Sequence, residues 1–139
     1  ALYNMAAQDR SLADAIARAV HDLDRSLVLF GLAQSELIRA GEQVGLRCAN
    51  EVFADRTYQK DGSLTSRRQA GAVHEDEKEA AGQVVHMLEH GTVRAVCSTE
   101  VPIKADTVCL HGDGKHAVQF ARTIAAALRK KGYTLRSFA

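Results

Sequence analysis

The sequence predicts an α/β fold built from parallel βα units. Short continuous apolar runs, such as residues 26–31, are typical of strands that are buried on both faces of a sheet. Amphipathic segments, in which apolar residues recur every three or four positions, alternate with these runs and favour a parallel sheet. The chain has 139 residues, of which 46% are hydrophobic, and no linker-like stretch. We therefore expect residues 1–139 to form one domain.

The first half of the chain supplies two helices and two strands. In the first helix, apolar side chains such as Leu12, Ile16 and Leu23 follow the 3.6-residue period. Gly45 is well placed to end the second helix. The predicted elements are a helix over 9–23, a strand over 26–31, a helix over 34–44 and a strand over 47–52. Residues 54–72 lack periodicity, which predicts a long polar loop of the kind that is usually functional or disordered.

The second half of the chain continues the alternation around a hairpin. Gly91 and Gly132 follow two amphipathic segments and mark the ends of two helices. Residues 98–100 are expected to form the turn of the hairpin. The predicted elements are a helix over 76–90, a hairpin of 93–96 and 101–103, a strand over 107–110, a helix over 115–131 and a short strand over 133–136.

Charge and composition argue against several classes of protein. Lys and Arg number 18 against 17 Asp and Glu, which argues against a dedicated nucleic-acid binder. No apolar run approaches the ~20 residues that a membrane span needs. The three cysteines, Cys48, Cys97 and Cys109, are odd in number and widely spaced, which predicts buried thiols in a reducing cytoplasm. We therefore expect a cytoplasmic protein without nucleic-acid or membrane partners.

The best local pattern for chemistry follows the strand predicted over 107–110, where the chain reads His111-Gly112-Asp113-Gly114. Ligands of parallel α/β folds gather at the carboxyl ends of the strands. His111 could act there as a general acid or base, and Asp113 could orient it or hold a metal. The alternative is a tight strand-to-helix turn in which Asp113 is only an N-cap.

A second polar group, Asp55-Arg56-Thr57-Tyr58, follows another predicted strand and should reach the same edge of the sheet. The planar guanidinium of Arg56 suits a carboxylate or a phosphate, and Tyr58 can donate one directed hydrogen bond. The alternative is a solvated loop in which Arg56 pairs with Asp55. Arg67 and Arg68 are expected on a solvated face.

The run from His86 to His90 matches H-x-x-E-H, a pattern found in zinc hydrolases. The two histidines share one helix face, but the run ends a helix at Gly91, where histidine is favourable for capping alone. No third ligand is evident in the sequence. We therefore predict no metal site here.

Four segments, in this order and spacing, resemble the carboxyl-terminal half of the LamB/YcsF family over essentially all 139 residues. They are Ala-Leu-Tyr-Asn at 1–4, Glu-Val-Phe-Ala-Asp-Arg-Thr-Tyr at 51–58, Gly-Ala-Val at 71–73 and Ala-Asp-Thr-Val-Cys-Leu-His-Gly-Asp at 105–113. The resemblance implies part of a seven-stranded-type β/α barrel, similar to glycoside hydrolase and deacetylase barrels. Upstream acidic and histidine motifs of the family are absent from this sequence, so we expect a C-terminal portion that is inactive alone.

The resemblance also implies an activity, which is the ATP-dependent opening of the lactam 5-oxo-L-proline to L-glutamate. It further implies two partner subunits that resemble allophanate or urea-amidolyase hydrolases, and ATP that serves the complex without an assigned site on this chain. Whether the chain forms a homo-oligomer stays open.

The site residues follow from the motifs that match the family. His111 with Asp113 would activate water or protonate the leaving nitrogen. Arg56 and Tyr58, with Tyr3 and Asn4 as the remaining substrate-binding residues, would hold a carboxylate or phosphate. Two alternatives remain: a metal-dependent deacetylase-like hydrolase, and a non-catalytic α/β ligand-binding or assembly module.

Overall fold

The computed structural model describes residues 2–114 and 116–137. The helices are α1 (Leu2–Gln8), α2 (Arg10–Leu23), α3 (Glu36–Gln43), α4 (Glu77–His90) and α5 (Ala117–Lys130). The strands are β1 (Val28–Leu32), β2 (Arg47–Phe53), β3 (Thr92–Arg94), β4 (Glu100–Pro102) and β5 (Thr107–Cys109). The mixed α/β architecture with parallel βα units is confirmed.

A parallel three-stranded sheet in the order β1-β2-β5 organises the fold. Glu51 of β2 lies opposite Thr107 of β5, and Phe53 lies opposite Cys109. Because the strands run in the same direction, the residues that follow Phe53 and Cys109 leave the sheet side by side. β3 and β4 form a separate antiparallel hairpin.

Side-chain caps begin three of the helices. Asp9 accepts a hydrogen bond from the N–H of Leu12 at the start of α2, and Asp76 accepts two from the first turn of α4. Ser35 caps α3 in the same way. Each cap satisfies backbone donors that have no partner within the helix, which explains why the helices start here. At the other end of α4, Gly91 has φ 65°, a conformation that glycine adopts without strain.

The polar segment after β2 is an ordered loop. Arg56 bridges Val73, and Tyr58 bridges both Leu64 and Ala95. These pairings draw the loop back across the end of the sheet and tie it to the β3–β4 hairpin. The segment therefore carries polar side chains to the carboxyl ends of the strands.

Two parts of the fold differ from the sequence prediction. Helix α1 has no capping pattern and was not expected; it forms because Ala6 is fully buried in a cluster with residues of α2 and α3. The strand predicted over 133–136 is wrong, since residues 133–137 are irregular. The N–H of Tyr133 instead donates to the carbonyl of Leu128, and its side chain packs on the α4–α5 cluster.

The expected start of the last helix, Lys115, lies outside the described residues. Cys97 is exposed in the hairpin turn, contrary to the prediction, whereas Cys48 and Cys109 are half-buried. Of the helices in the described ranges, none combines the length and apolar character that crossing a membrane requires.

Candidate functional site

A cleft of about 700 Å³ lies at the carboxyl ends of the parallel strands. Its wall is formed by α1, β2, the loop after β2 and His111, which follows β5. The lining side chains that could bind a ligand or transfer a proton are Tyr3, Glu51, Arg56, Arg67, Arg68 and His111. The position agrees with the general rule for parallel α/β folds, so this cleft is the candidate site.

A histidine–carboxylate pair stands at the edge of this cleft. His111 Nδ1 lies 2.8 Å from Oδ2 and 3.0 Å from Oδ1 of Asp55. The side chain of Asp55 is only 9% exposed, whereas that of His111 is 28% exposed. The imidazole also stacks on Phe53, with ring centroids 5.5 Å apart. A carboxylate at Nδ1 orients the ring and leaves Nε2 as the nitrogen that exchanges a proton with a ligand.

The backbone that carries Asp55 is held from α4. The side-chain amide of Gln83 donates to the carbonyls of Phe53 at 3.1 Å, Ala54 at 3.3 Å and Arg56 at 2.9 Å. These bonds fix the turn in which the chain leaves β2. Gln83 is thus a positioning residue. The sequence did not identify it, because the periodicity of a helix does not show which glutamine contacts the backbone of a distant turn.

Asp113, by contrast, pairs with Arg67. Its Oδ2 lies 3.2 Å from Nη1 of Arg67, and its side chain is 68% exposed. The hydrogen bond from Arg67 lowers the pKa of the Asp113 carboxyl below its ordinary value. The expectation that Asp113 orients His111 is therefore corrected: Asp55 makes that contact, because it leaves the neighbouring strand at the same level.

Arg56 is buried in the floor of the cleft, which it helps to line. Its Nε donates to the carbonyl of Ala72 at 3.2 Å, and its Nη2 donates to that of Thr65 at 2.5 Å. Burial lowers the pKa of the guanidinium, with a smaller contribution from nearby Arg67. The alternative, in which Arg56 forms an ion pair with Asp55, is not observed. Arg56 instead holds both arms of the loop while it contributes positive charge to the cleft.

Tyr58 lies in the core rather than in the cleft. It is fully buried, and its hydroxyl accepts a hydrogen bond from the N–H of Phe53 at 2.8 Å. Burial raises the pKa of this hydroxyl well above its ordinary range. Tyr58 was predicted to bind the substrate. The geometry instead shows a buried side chain that holds the backbone of Phe53 below the cleft.

Tyr3 and Asn4 reach the cleft from α1. The Tyr3 hydroxyl donates to Oε2 of Glu51 at 2.7 Å, and its ring meets Phe53 edge-on at 5.8 Å. Burial and the bond to Glu51 raise the pKa of the Tyr3 hydroxyl, so it stays a donor. Asn4 is exposed at the rim of the cleft. Glu51 was not predicted as a site residue, since a carboxylate within a strand reads as an ordinary solvated position.

The loop also brings two arginines to the cleft. Arg67 and Arg68 are exposed, as expected for a solvated face, but both line the cavity. With Arg56 below them, they give this wall a positive character that suits a carboxylate or a phosphate.

The H-x-x-E-H segment serves packing between α4 and the hairpin. His86 Nε2 lies 2.9 Å from Oε2 of Glu100 and 3.1 Å from Oγ1 of Thr92. His90 stacks on His86 with ring centroids 4.5 Å apart. Within residues 2–114 and 116–137, no three His, Cys, Asp or Glu side chains are grouped so as to hold a metal ion.

Comparison with known proteins identifies close relatives. A model of the LamB/YcsF family matches residues 1–139. The chain is 59% identical over 138 residues to a 5-oxoprolinase subunit of Bacillus licheniformis, and the match covers 99% of this chain and 54% of that protein. It is 57% identical over 137 residues to the corresponding 5-oxoprolinase subunit of Tolumonas auensis, covering 99% of this chain and 55% of the relative.

A solved structure shows the same fold. The crystal structure of a lactam utilization protein from Thermus thermophilus matches this chain with a TM-score of 0.88 at 36% sequence identity. The match covers 99% of this chain and 54% of that one. The chain thus spans about half the length of the relatives it matches.

Proposed function

The chain belongs to the LamB/YcsF family, and we propose that it forms the cleft-bearing part of an ATP-dependent 5-oxoprolinase that opens 5-oxo-L-proline to L-glutamate. Relatives at 59% and 57% identity are named as 5-oxoprolinase subunits. The observation that carries the proposal is the His111–Asp55 pair, which stands at the carboxyl edge of the sheet and beside a cationic wall. A proton-transfer group next to an anion-binding surface is what opening an anionic lactam requires.

The ring opening adds one water across the amide bond. The water oxygen bonds to the carbonyl carbon, the C–N bond breaks with its electron pair going to nitrogen, and both water protons end on that nitrogen. His111 Nε2 takes a proton from the attacking water and returns it to the leaving nitrogen. Asp55 on Nδ1 stabilises the imidazolium that forms between these two transfers.

The cationic wall fits the anionic groups of this reaction. Arg67 and Arg68 would hold the substrate carboxylate or a phosphate, because guanidinium groups match the geometry of both. ATP, bound to the complex, would transfer its terminal phosphoryl group to the amide oxygen and leave as ADP. Once water has opened the ring, a second water would release that group from the new carboxyl as inorganic phosphate. Arg56 adds charge from below and keeps the loop in place. Asn4 at the rim and Tyr3 on α1 complete the substrate-binding side chains.

The remaining features extend beyond this chain. We propose that the parallel sheet belongs to a larger β/α barrel, to which residues 1–139 contribute the C-terminal portion. The relatives are named as subunits, which supports an assembly. The proposed partners are two subunits that resemble allophanate or urea-amidolyase hydrolases, and the proposed location is the cytoplasm.

The test uses the full-length protein with its partner subunits and measures ATP-dependent formation of glutamate from 5-oxoproline. We expect His111→Ala to abolish turnover, because Nε2 has no substitute. A matched change, His21→Ala on α2, should leave turnover unchanged, since His21 pairs with the neighbouring Asp22 and does not line the cleft. Near-normal turnover of His111→Ala would reject the assigned role.

A further inference from the structure

Glu51 is a carboxylate that lines the cleft. Its Oε2 accepts a hydrogen bond from the Tyr3 hydroxyl at 2.7 Å. Among the described residues, no Lys, Arg or His lies within ion-pair distance of it. The side chain is half-buried, so its charge has lost part of its hydration. A partly desolvated carboxylate that is left without a cation is costly unless a ligand supplies one.

Three arginines line the same cleft without neutralising Glu51. Arg67 pairs with Asp113, and two of the donor nitrogens of Arg56 are bound to loop carbonyls. Glu51 instead sits on β2, two residues from Phe53, so both side chains point to one face of the sheet. The cleft is thus divided into a cationic wall on the loop and a single anionic group on the strand.

We propose that Glu51 binds the nitrogen of the substrate and holds it as the ammonium group that forms when the lactam opens. This inference rests on the proposed 5-oxoprolinase function. 5-Oxoproline carries a carboxylate and, next to it, a ring N–H, which match the cationic wall and Glu51 respectively. In L-glutamate the same nitrogen is an ammonium, so the carboxylate first accepts a hydrogen bond from a neutral N–H and then forms an ion pair with a cation.

Because of that change, Glu51 would raise the rate of ring opening as well as contribute to substrate binding. A carboxylate interacts more strongly with a developing ammonium than with an amide N–H. An interaction that grows along the reaction lowers the barrier, whereas one that is equal throughout only lowers KM. Tyr3 keeps the carboxylate aimed into the cleft by donating to Oε2, which leaves Oε1 for the nitrogen.

The experiment compares wild type with Glu51→Gln in the full-length protein and its partner subunits. Glutamine keeps the size and the hydrogen-bonding atoms but removes the charge. We expect kcat for 5-oxoproline to fall about 10- to 100-fold while KM changes little, in line with the strength of a charged hydrogen bond. Glu42→Gln on the exposed face of α3 is the matched control and should retain wild-type kinetics.

A binding measurement separates this role from a purely structural one. L-Glutamate and glutarate differ by the amine, so both are tested as inhibitors of wild type and Glu51→Gln. The inhibition constant for L-glutamate should rise about tenfold in the variant, whereas that for glutarate should stay unchanged. Equal changes for both, or none, would overturn the assignment of Glu51 while leaving the function intact. Absence of ATP-dependent glutamate formation in wild type would remove the proposed function and this inference together.

Discussion

The hydroxyl of Tyr58 lies 2.8 Å from the backbone nitrogen of Phe53 and accepts its hydrogen bond inside the core. Tyr58→Phe would leave this buried N–H without a partner. We expect the free energy of unfolding to fall by about 1–3 kcal/mol, which is the usual cost of such a group. Denaturant unfolding measures it.

The same variant tests whether Tyr58 touches the substrate. Because the side chain is fully buried, the KM for 5-oxoproline should stay within about twofold of wild type in the full-length protein, as for other changes that remove no substrate contact. A tenfold rise in KM without loss of stability would return Tyr58 to the substrate-binding set.

A pair of matched substitutions separates the two carboxylates near His111. Asp55→Asn removes the charge that stabilises the imidazolium, so kcat should fall about 100- to 10,000-fold. Asp113→Asn breaks only an exposed ion pair with Arg67, and kcat should stay within about fivefold. The measurement is ATP-dependent glutamate formation by the full-length protein with its partners.

The opposite order of effects would restore Asp113 to the catalytic pair. Melting temperatures of both variants provide the folding control. Equal losses in both, without unfolding, would show that each carboxylate acts on His111.

The sequence predicted that His111, Arg56 and Tyr58 lie at one edge of the sheet, because the carboxyl ends of parallel strands lie on the same side. It did not show which side chains would face the cleft. Asp55 and Tyr58 are three residues apart in one loop, yet one contacts His111 and the other enters the core. That distinction depends on the path of residues 56–73, which long-range backbone bonds determine.

The errors in secondary structure have a similar origin. Helix α1 is stabilised by contacts of Ala6 and Tyr3 with distant parts of the chain, which no local pattern records. Residues 133–136 have strand-like composition, but Tyr133 completes the end of α5 instead. Elements with their own caps, such as α2 and α4, were predicted to within one residue.

Glu100 makes the stability of the β3–β4 hairpin depend on pH in the acid range. Hydrogen bonds from Thr92, then His86 and Arg94, lower the pKa of its carboxyl to about 2 from an ordinary 4.5. A depressed pKa in the folded state means that the stabilisation is complete above about pH 4.5 and is lost as the pH falls towards 2.

Comparison with Glu100→Gln reveals this contribution. The gap in free energy of unfolding between wild type and variant should shrink as the pH falls from about 4.5 towards 2. Urea unfolding at a series of pH values tests it. A gap that does not vary with pH would show that the carboxylate charge contributes nothing to the hairpin.

Two helical glycines should respond to alanine with opposite signs. A Cβ at Gly41 of α3 would stand 2.6 Å from Sγ of Cys48 and 2.7 Å from Cδ2 of Leu29, so α3 could pack this closely on the sheet only without a side chain. Gly41→Ala should therefore destabilise the protein by about 1–3 kcal/mol, which exceeds the ~1 kcal/mol gained in helix propensity. Gly82 of α4 has open space around it, and Gly82→Ala should stabilise by about 0.5–1 kcal/mol. Thermal unfolding of both variants decides the matter, since a stabilised Gly41→Ala would mean that the α3–sheet contact is looser than these distances require.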